Sequence, residues 1–282
     1  MIVTTISELR SFLKEKRSKG KSIGLVPTMG FLHEGHLSLI KRAKAENDVV
    51  VVSDFVNPTQ FGPGEDFETY PRNIERDTEM AVGAGADVVF YPSVEEMYPT
   101  GSSTFVEVEG EITRVLCGAS RPTHFRGVTT VVNMLFNIVQ PDKSYFGQKD
   151  AQQAAVLIKM VRDTHMPVDI IVCPIVREDD GLAMSSRNTY LSDEERKQAV
   201  VLSQALKIAA DSFKNGDRNA RELEKHIADI INTKPLAQID YVSVYEYPSL
   251  EQAEIISEKA LAAVAVKFGK TRLIDNVILE VD

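Results

Sequence analysis

The sequence is poor in cysteine, has no tryptophan and lacks a surplus of basic residues. Its 282 residues include two cysteines, and 32 Lys and Arg stand against 41 Asp and Glu, giving a formal net charge of −9. Cys117 and Cys173 provide neither a disulfide framework nor a metal-ligand cluster, so we expect two reduced thiols. Non-specific nucleic-acid binding, which depends on a basic surface, is disfavoured.

Long apolar runs are also lacking. No stretch approaches the length that spans a membrane, and residues 1–5 do not have the charged-then-apolar layout of a signal peptide. We therefore predict a cytoplasmic protein. The composition, 43% hydrophobic and 26% charged, is that of a globular chain long enough for one large or two moderate domains.

Apolar, β-branched runs alternate with helical patterns through the first 175 residues. Helices are predicted at 5–18, 37–45, 73–84, 127–139 and 150–164, and strands at 23–26, 48–56, 86–91, 144–146 and 168–173. An edge strand or hairpin arm is predicted at 104–108. This alternation predicts an α/β fold, a Rossmann-like doubly wound parallel sheet with helices on both faces.

The pattern changes after residue 175. Two helices, 193–215 and 219–232, are followed by alternating strands at 239–247, 260–268 and 273–279. We therefore expect a Rossmann-like domain at 1–175 and a smaller C-terminal α+β domain at 176–282.

The most informative stretch is residues 27–36, Pro-Thr-Met-Gly-Phe-Leu-His-Glu-Gly-His, between a predicted strand and a helix. His33 and His36 are three residues apart, so their rings project on one side of a helical turn. Gly30 and Gly35 let a ligand approach the backbone, and the N–H groups of a helix N-terminus suit a phosphate. The stretch predicts a nucleotide site. Structural histidines are the alternative, and zinc is disfavoured because His-Glu-x-x-His needs one more residue.

A second cluster begins at Gly147, again between a strand and a helix. Lys149 offers a positive charge to a polyphosphate, and Asp150 offers an acceptor to a ribose hydroxyl or, through water, to Mg²⁺. Gln153 lies one turn further along the same helix face. The alternative is a solvated helix start capped by Asp150.

A third cluster, at residues 179–188, contains Ser185, Ser186 and Arg187 after a glycine. Hydroxyls and a guanidinium on a flexible loop predict a lid that closes over phosphates and supplies positive charge during bond breaking. A surface turn is the alternative.

Two loops could bind the second substrate. The amide of Gln60, on an Asn-Pro loop after a strand, suits a hydroxyl or a carboxylate, with turn stabilisation as the alternative. Residues 121–127 carry two arginines and His124, which could bind an anion or, as we favour, anchor a loop. Because ligands of open α/β sheets bind at the carboxyl ends of the strands, we expect residues 27–36, the Gln60 loop and Gly147 to share a crevice.

Together these motifs resemble the pantothenate synthetase (pantoate–β-alanine ligase) family of the His-x-Gly-His nucleotidylyltransferase superfamily. The match runs from the first helix to the closing Arg-Leu-Ile-Asp-Asn at 272–276. The motifs that carry it, in family order, are Pro-Thr-Met-Gly with His-Glu-Gly-His at 27–36, Phe-Val-Asn-Pro-Thr-Gln-Phe at 55–61, Tyr-Phe-Gly-Gln-Lys-Asp at 145–150 and Met-Ser-Ser-Arg-Asn at 184–188.

The resemblance implies an enzyme that condenses pantoate and β-alanine through pantoyl adenylate, releasing pyrophosphate and AMP. It implies ATP as substrate, Mg²⁺, a homodimer, and a C-terminal domain that covers the active site. The residues it implies for catalysis are His33, His36, Lys149 and Arg187. Those for ATP binding are Met29, Gly30, Phe31, Leu32, His33, Glu34, Gly35, His36, Gly147, Gln148, Lys149, Asp150, Val176, Met184, Ser185, Ser186 and Arg187. Gln60 and Gln153 would bind pantoate, with Gln60 also near β-alanine.

Two residues depart from the family pattern. Asp54 stands where an aliphatic residue is usual, and if Phe55 faces the core then Asp54 faces the other way, where an unpaired buried carboxylate is costly. We expect either a cation beside it or a more open strand end. Thr123 replaces a usual glycine, which leaves the path of the loop before His124 open.

Three other functions are weighed against the ligase. A nucleotidylyltransferase that transfers AMP to a phosphorylated small molecule is the alternative enzyme, and its product would keep the nucleotide. A regulatory module would bind ATP without turnover, but Gln60 and Gln153 speak against it. An aminoacyl-tRNA synthetase is disfavoured by the acidic charge and by the lack of room for an RNA-reading domain.

Overall fold

The computed structural model describes residues 1–281, and its chain divides into two compact units. The first unit comprises Met1–Glu109, Arg121–Gly147 and Val156–Cys173. The second comprises Gly110–Ser120, Gln148–Ala155 and the chain from Pro174 onward. The predicted division into functional domains at residue 175 stays a prediction.

The first unit contains a six-stranded parallel sheet in the order β1-β4-β3-β2-β5-β6. Its strands are β1 (Ile2–Val3), β2 (Ile23–Thr28), β3 (Val49–Asp54), β4 (Val88–Phe90), β5 (Lys143–Gly147) and β6 (Asp169–Cys173). The helices that accompany it are α1 (Ile6–Ser18), α2 (Glu34–Glu46), α3 (Ile74–Gly83) and the short α4 (Val94–Met97). The second unit contributes the short α5 (Cys117–Ser120); the long α6 (His124–Val139) belongs to the first unit, and α7 (Ala151–Asp163) begins in the second and continues in the first.

Apolar clusters on both faces of this sheet explain its uninterrupted strand patterns. Val49 and Val51 belong to one cluster, whereas Val50 and Val52 belong to the other, because successive side chains of a strand point to opposite faces. A parallel sheet covered on both faces needs such unbroken apolar runs. The predicted Rossmann-like α/β fold is therefore confirmed.

The strand predicted at 104–108 is wrong. The segment is extended, but within residues 1–281 it joins no ladder, and hydroxyls of α6 bind its backbone instead. Val106 N donates to Thr130 Oγ1 at 3.0 Å, and Thr129 Oγ1 donates to the Val106 carbonyl at 2.5 Å. Side-chain hydroxyls of a helix have taken the place of a neighbouring strand.

The second unit is an α+β structure with its own apolar core. Helices α8 (Asp193–Ala199), α9 (Val201–Lys214) and α10 (Ala220–Ile231) accompany the antiparallel sheet β7-β8-β9, formed by β7 (Ala237–Glu246), β8 (Lys259–Phe268) and β9 (Thr271–Glu280). The single helix predicted at 193–215 is wrong, because the structure divides it at Val200 into α8 and α9. Within residues 1–281 no helix has both the length and the apolar character to cross a membrane.

Candidate active site

The turn after β2 is built by hydrogen bonds within residues 28–36. Thr28 Oγ1 accepts from Gly30 N at 3.2 Å and donates to the Ser53 carbonyl at 2.7 Å. Gly30 has φ +77°, and a Cβ there would overlap a carboxylate oxygen of Asp54. Glycine is needed at this position because a side chain would meet both a strained backbone and the end of β3.

A carboxylate from α3 anchors the same turn. Asp77 accepts from Phe31 N at 2.6 Å and from Leu32 N at 2.8 Å, and its side chain is 1% exposed. Arg76 donates to Asp77 at 3.2 Å and to the Leu32 carbonyl at 2.9 Å. Sequence reasoning missed Asp77, because its partners lie 45 and 46 residues away and leave no local signal.

The two predicted histidines begin α2 and lie together. Their ring centroids are 4.1 Å apart. His33 is the N-cap, and its Nδ1 accepts from Gly35 N at 3.1 Å, while His36 Nδ1 accepts from His33 N at 3.3 Å. An Nδ1 that accepts a hydrogen bond leaves the proton of a neutral imidazole on Nε2. Each ring, when neutral, therefore carries its hydrogen on Nε2.

The backbone of this turn is more fully engaged than the sequence suggested. We expected its N–H groups to meet phosphate, yet those of Gly30, Phe31, Leu32, His33 and Gly35 all donate within the protein. These five backbone N–H groups are therefore engaged within the protein.

Asp54, at the end of β3, meets neither of the two expectations for it. It is 5% exposed, so the strand end is not open, and within residues 1–281 its carboxyl has no cationic or hydrogen-bonding partner. Burial, together with the charge of Asp77, raises the pKa of Asp54 to about 7. The buried carboxyl thus holds its proton more tightly than an exposed one does.

Gln60 is buried, and its side-chain amide has a defined orientation. Asn57 Nδ2 donates to Gln60 Oε1 at 3.0 Å, and Gln60 Nε2 donates to Met29 Sδ at 3.1 Å. Tyr98 in turn donates to Asn57 Oδ1 at 2.7 Å. A thioether is a weak acceptor, so a substrate oxygen could displace it from Nε2 with little loss of free energy. The structure thus brings Met29 and Gln60 together.

The loop before α6 takes a path that tolerates Thr123. Its φ is −98° and its side chain is exposed, so the usual glycine is not needed for backbone reasons. The carbonyl of Thr123 accepts from Gly127 N at 3.1 Å and begins the helix.

In the second unit, residues 148–150 form a short 3₁₀ turn before α7. Lys149 Nζ lies 3.1 Å from Asp150 Oδ2. Asn276 Nδ2 donates to the carbonyls of Gln148 and Lys149, both at 2.9 Å, and Gln148 Nε2 donates back to Asn276 Oδ1 at 3.3 Å. A single amide from β9 therefore fixes the turn that carries Lys149.

Asn276 follows a buried ion pair. Arg177 donates to both carboxylate oxygens of Asp275, at 2.7 and 3.1 Å, and Asp275 is 1% exposed. Burial raises the pKa of Asp275, and the guanidinium opposes that rise. The closing Asp-Asn was part of the sequence resemblance, but its anchoring role could not be predicted from the sequence.

The predicted lid residues lie at the end of a narrow hairpin. Met184 N donates to the Val176 carbonyl at 3.0 Å. Ser185 caps a 3₁₀ helix by accepting from Arg187 N at 3.3 Å, and Ser186 is buried. Asn188 donates to Glu178 at 2.7 Å, which ties the segment to the hairpin. Two hydroxyls and a guanidinium are thus grouped as expected, whereas closure over a ligand stays a prediction.

The two glutamines at the start of α7 differ in role. Gln152 is buried and binds the 112–117 segment, with Oε1 accepting from Cys117 N at 3.0 Å and Nε2 donating to the carbonyls of Ile112 and Val115. Gln153, the predicted substrate ligand, is half-buried. Gly147, the last residue of β5, would meet no described atom within 4 Å if it carried a Cβ.

Comparison with known proteins gives one consistent result. The family model for pantoate-beta-alanine ligase matches residues 1–278. The pantothenate synthetase of Acetivibrio thermocellus is 60% identical over 280 residues, which cover 99% of each chain. The crystal structure of pantothenate synthetase from Thermus thermophilus superposes with a TM-score of 0.93 at 46% identity, covering 98% of each chain.

A third relative was solved with ligands. The pantoate-beta-alanine ligase of Francisella tularensis, complexed with beta-gamma ATP and β-alanine, superposes with a TM-score of 0.79 at 37% identity and covers 98% of this chain and 97% of its own. Identity and coverage of this extent, together with the shared fold, leave one assignment. The chain belongs to the pantoate–β-alanine ligase family.

Proposed function

We propose that this protein condenses pantoate with β-alanine through pantoyl adenylate, using ATP and releasing pyrophosphate and AMP. Family membership gives the reaction class, a ligase that uses ATP to form an amide bond. The observation that carries the proposal is the family match over residues 1–278. The predicted site residues stay proposals, supported by the local geometry of each unit.

In the first step a pantoate carboxylate oxygen attacks the α-phosphorus of ATP, and the bond to the bridging oxygen of pyrophosphate breaks. We propose that the Nε2 donors of His33 and His36 stabilise the negative charge that develops on the phosphoryl oxygens. Their Nδ1 atoms are tied to backbone N–H groups, so the rings are oriented before substrate binds. Preorganised donors of this kind contribute strongly because they need no reorganisation during reaction.

In the second step the β-alanine amine attacks the acyl carbon, the bond to the AMP oxygen breaks, and the nitrogen loses its proton. We propose that Gln60 and Gln153 hold the carboxylate substrate and that Lys149 and Arg187 bind phosphates. An amide recognises oxygen atoms without adding charge, which suits a site that must also admit an anionic nucleotide. Shielding the acyl adenylate from water protects this reactive intermediate.

Magnesium is proposed to enter as the complex with ATP. Within residues 1–281 no three His, Cys, Asp or Glu side chains group as a metal cage. A hard cation that keeps several waters and binds mainly substrate phosphates needs few protein ligands, and Asp150 is the carboxylate we propose for it. When bound, Mg²⁺ would neutralise part of the phosphate charge.

Pantoate-dependent ATP–pyrophosphate exchange tests the proposal, because it isolates the first step. Exchange should require pantoate, and AMP release should also require β-alanine. A product that retains the nucleotide would instead indicate an AMP-transferring nucleotidylyltransferase. ATP binding with no pantoate-dependent exchange would contradict the ligase function.

The variants His36→Ala and Lys149→Ala test the residue roles. Each should lower turnover at least about 100-fold, since each removes a donor to developing phosphate charge. Lys207→Ala and His226→Ala are matched controls, because these residues are exposed on α9 and α10 respectively. Full activity in either site variant, with circular dichroism unchanged, would remove that residue from the mechanism.

We also propose that the protein is a homodimer and is cytoplasmic. The homodimer rests on the family resemblance, and the cytoplasmic location is the expectation stated for the sequence. Light scattering coupled to size-exclusion chromatography would test the first, where the mass of a single chain, 31.3 kDa, would contradict it. Cell fractionation would test the second.

A further inference from the structure

We infer that Arg121, Glu65 and His124 are positioning residues that hold the main chain of Gln60 and thereby aim its amide at the carboxylate substrate. This inference rests on the proposed function and extends it to residues outside the predicted ligand set. All four residues belong to the first unit.

The carbonyl of Gln60 accepts from two side chains. Arg121 Nη2 donates to it at 3.2 Å and His124 Nδ1 at 3.0 Å. The two donors come from the start of α6 and the residues before it, and their separations from Gln60 in the sequence are 61 and 64 residues. A carbonyl held by two donors cannot rotate without losing both bonds.

The hydrogen-bond partners also define the state of His124. The Gln60 carbonyl can only accept, so His124 Nδ1 carries a hydrogen. The Arg121 guanidinium can only donate, so His124 Nε2 is the acceptor of the contact with Arg121 Nη1 at 3.2 Å. With this tautomer, the neutral His124 ring would link the guanidinium and the carbonyl in a fixed order.

Glu65 orients the guanidinium. It accepts from Arg121 Nε at 2.7 Å and from Nη2 at 2.5 Å, which is the two-pronged geometry that suits arginine and carboxylate. Burial works to raise the pKa of Glu65, but the Arg121 hydrogen bond and charge outweigh it and lower that pKa. We infer that Glu65 acts on Gln60 through Arg121.

Arg121, Glu65 and His124, which hold the main chain of Gln60, are here called the frame. Backbone packing makes this frame rigid. A Cβ on Gly127 would lie 2.6 Å from both the Cα and the N of Gln60, so only glycine lets α6 approach so closely. The Gly127 carbonyl also accepts from Asn57 Nδ2 at 3.2 Å. Residue 60 is thus pressed against α6 as well as hydrogen-bonded to it.

Holding the main chain of Gln60 also affects its side-chain amide. When a substrate oxygen displaces the Met29 sulfur from Nε2, one of the two contacts of the amide is exchanged for the ligand. The amide then keeps its aim only if its main chain stays in place. Small misplacements of a positioning group have large effects on binding, which makes the frame functionally significant.

The variants Arg121→Ala, Glu65→Gln and His124→Gln test the inference by pantoate-dependent ATP–pyrophosphate exchange. Arg121→Ala should raise KM for pantoate at least about tenfold, with KM for ATP changed less than about twofold. His124→Gln should have a smaller effect, since an amide can still donate to the carbonyl. Arg42→Ala, which removes an ion pair with Glu46 on α2, is the matched control and should change neither constant.

A double-mutant cycle separates positioning from general destabilisation. Because Glu65 acts through Arg121, Glu65→Gln should raise KM for pantoate about threefold alone and have no further effect in the Arg121→Ala background. Additive effects, or equal rises in both KM values, would overturn the inference. If the alanine variant does not fold, Arg121→Lys is tested instead, and its melting temperature shows whether it is folded. An unchanged KM for pantoate in the folded Arg121→Lys variant would also overturn the inference, because lysine cannot make the two-pronged contact.

If the wild-type protein shows no pantoate-dependent exchange, the proposed function fails before the frame is tested. Binding of pantoate alone, measured by calorimetry, would then test whether the frame positions Gln60. The dissociation constants of the variants should rise by the same factors as those expected for KM. An Arg121→Ala variant that binds pantoate as the wild type does would contradict it.

Discussion

Two turns that follow parallel strands are anchored by opposite hydrogen-bonding groups. After β2, the Asp77 carboxylate accepts from two backbone N–H groups. After β5, the Asn276 amide donates to two backbone carbonyls. Each anchor comes from a distant part of the chain within its own compact unit, and each holds residues proposed to bind ATP.

The two anchors distribute charge around their turns differently. Asp77 accepts hydrogen bonds from two N–H groups of the first turn and brings a negative charge beside it. The neighbouring Asp54 keeps its proton up to about pH 7. Asn276 is neutral and donates to carbonyls, so it adds no charge beside Lys149, whose ammonium lies 3.1 Å from Asp150 Oδ2. The anchor of the first turn is therefore an acid, and that of the second is an uncharged amide.

The largest expected effect comes from removing the charged anchor. Asp77→Ala should lower the free energy of unfolding by about 3 kcal/mol, because two buried N–H groups lose their acceptor. It should also lower kcat/KM at least about 100-fold, since the histidines follow directly from the disturbed turn. Urea unfolding and steady-state kinetics check both, and Asp77→Asn, which keeps an acceptor, should lose less. Wild-type activity in Asp77→Ala would break the comparison.

A smaller effect, with a defined pH dependence, is expected for Asp54→Asn. The pKa of Asp54 is 3.8 ordinarily and about 7 in the folded protein, so the folded state binds the proton more tightly. Wild-type stability should therefore fall, relative to the variant, as pH rises from about 4 to about 7, and change no further well above 7. The shift corresponds to a limit of roughly 4 kcal/mol, and we expect about 2 kcal/mol after relaxation.

Urea unfolding at several pH values between about 5 and about 9 measures this difference. Asp229→Asn, at an exposed position of α10, is the control and should show no such dependence. In an Asp77→Asn background, the pH-dependent difference in unfolding free energy caused by Asp54→Asn should be smaller, because one of the two causes of the raised pKa of Asp54 is gone. A pH-independent difference would show that Asp54 is not the group that titrates.

The smallest effect is expected at the neutral anchor. Asn276→Ala removes two donors to carbonyls and should raise KM for ATP about tenfold, a change of about 1.4 kcal/mol. KM for pantoate should stay within about twofold. Asn232→Ala, an exposed asparagine at the end of α10, serves as control. An ATP affinity unaffected by Asn276→Ala would mean that the Lys149 turn holds its shape by itself.

Much of the fold followed from periodicity. The valines at 49–52 predicted a strand covered on both faces, and they divide between two apolar clusters. The segment at 104–108 has an equally good alternating pattern but forms no ladder, because threonine hydroxyls of α6 bind its backbone. Alternation reports which faces are apolar, whereas pairing depends on whether a neighbouring strand is present.

The candidate site shows the same division. His33 and His36 could be grouped from spacing alone, since three residues make about one helical turn and their hydrogen bonds are equally local. The protonation state of Asp54 could not be predicted from the sequence, because it depends on the charge of Asp77 and on burial. The sequence offered a cation or an open strand end, and the structure has neither within residues 1–281.

The order of most strands and helices, the glycine turn, the adjacent histidines and the family resemblance could all be predicted from the residues alone. These features depend on residues near one another in the chain or on a motif pattern that needs no coordinates. The anchors Asp77, Asn276 and the Arg121–Glu65 pair at Gln60 are features of the tertiary structure. Each anchor joins groups that are distant in the chain, from 45 residues for Asp77 to 128 for Asn276. Such hydrogen bonds leave no periodic trace, because the partner of a buried polar group is selected by where the packed elements place it.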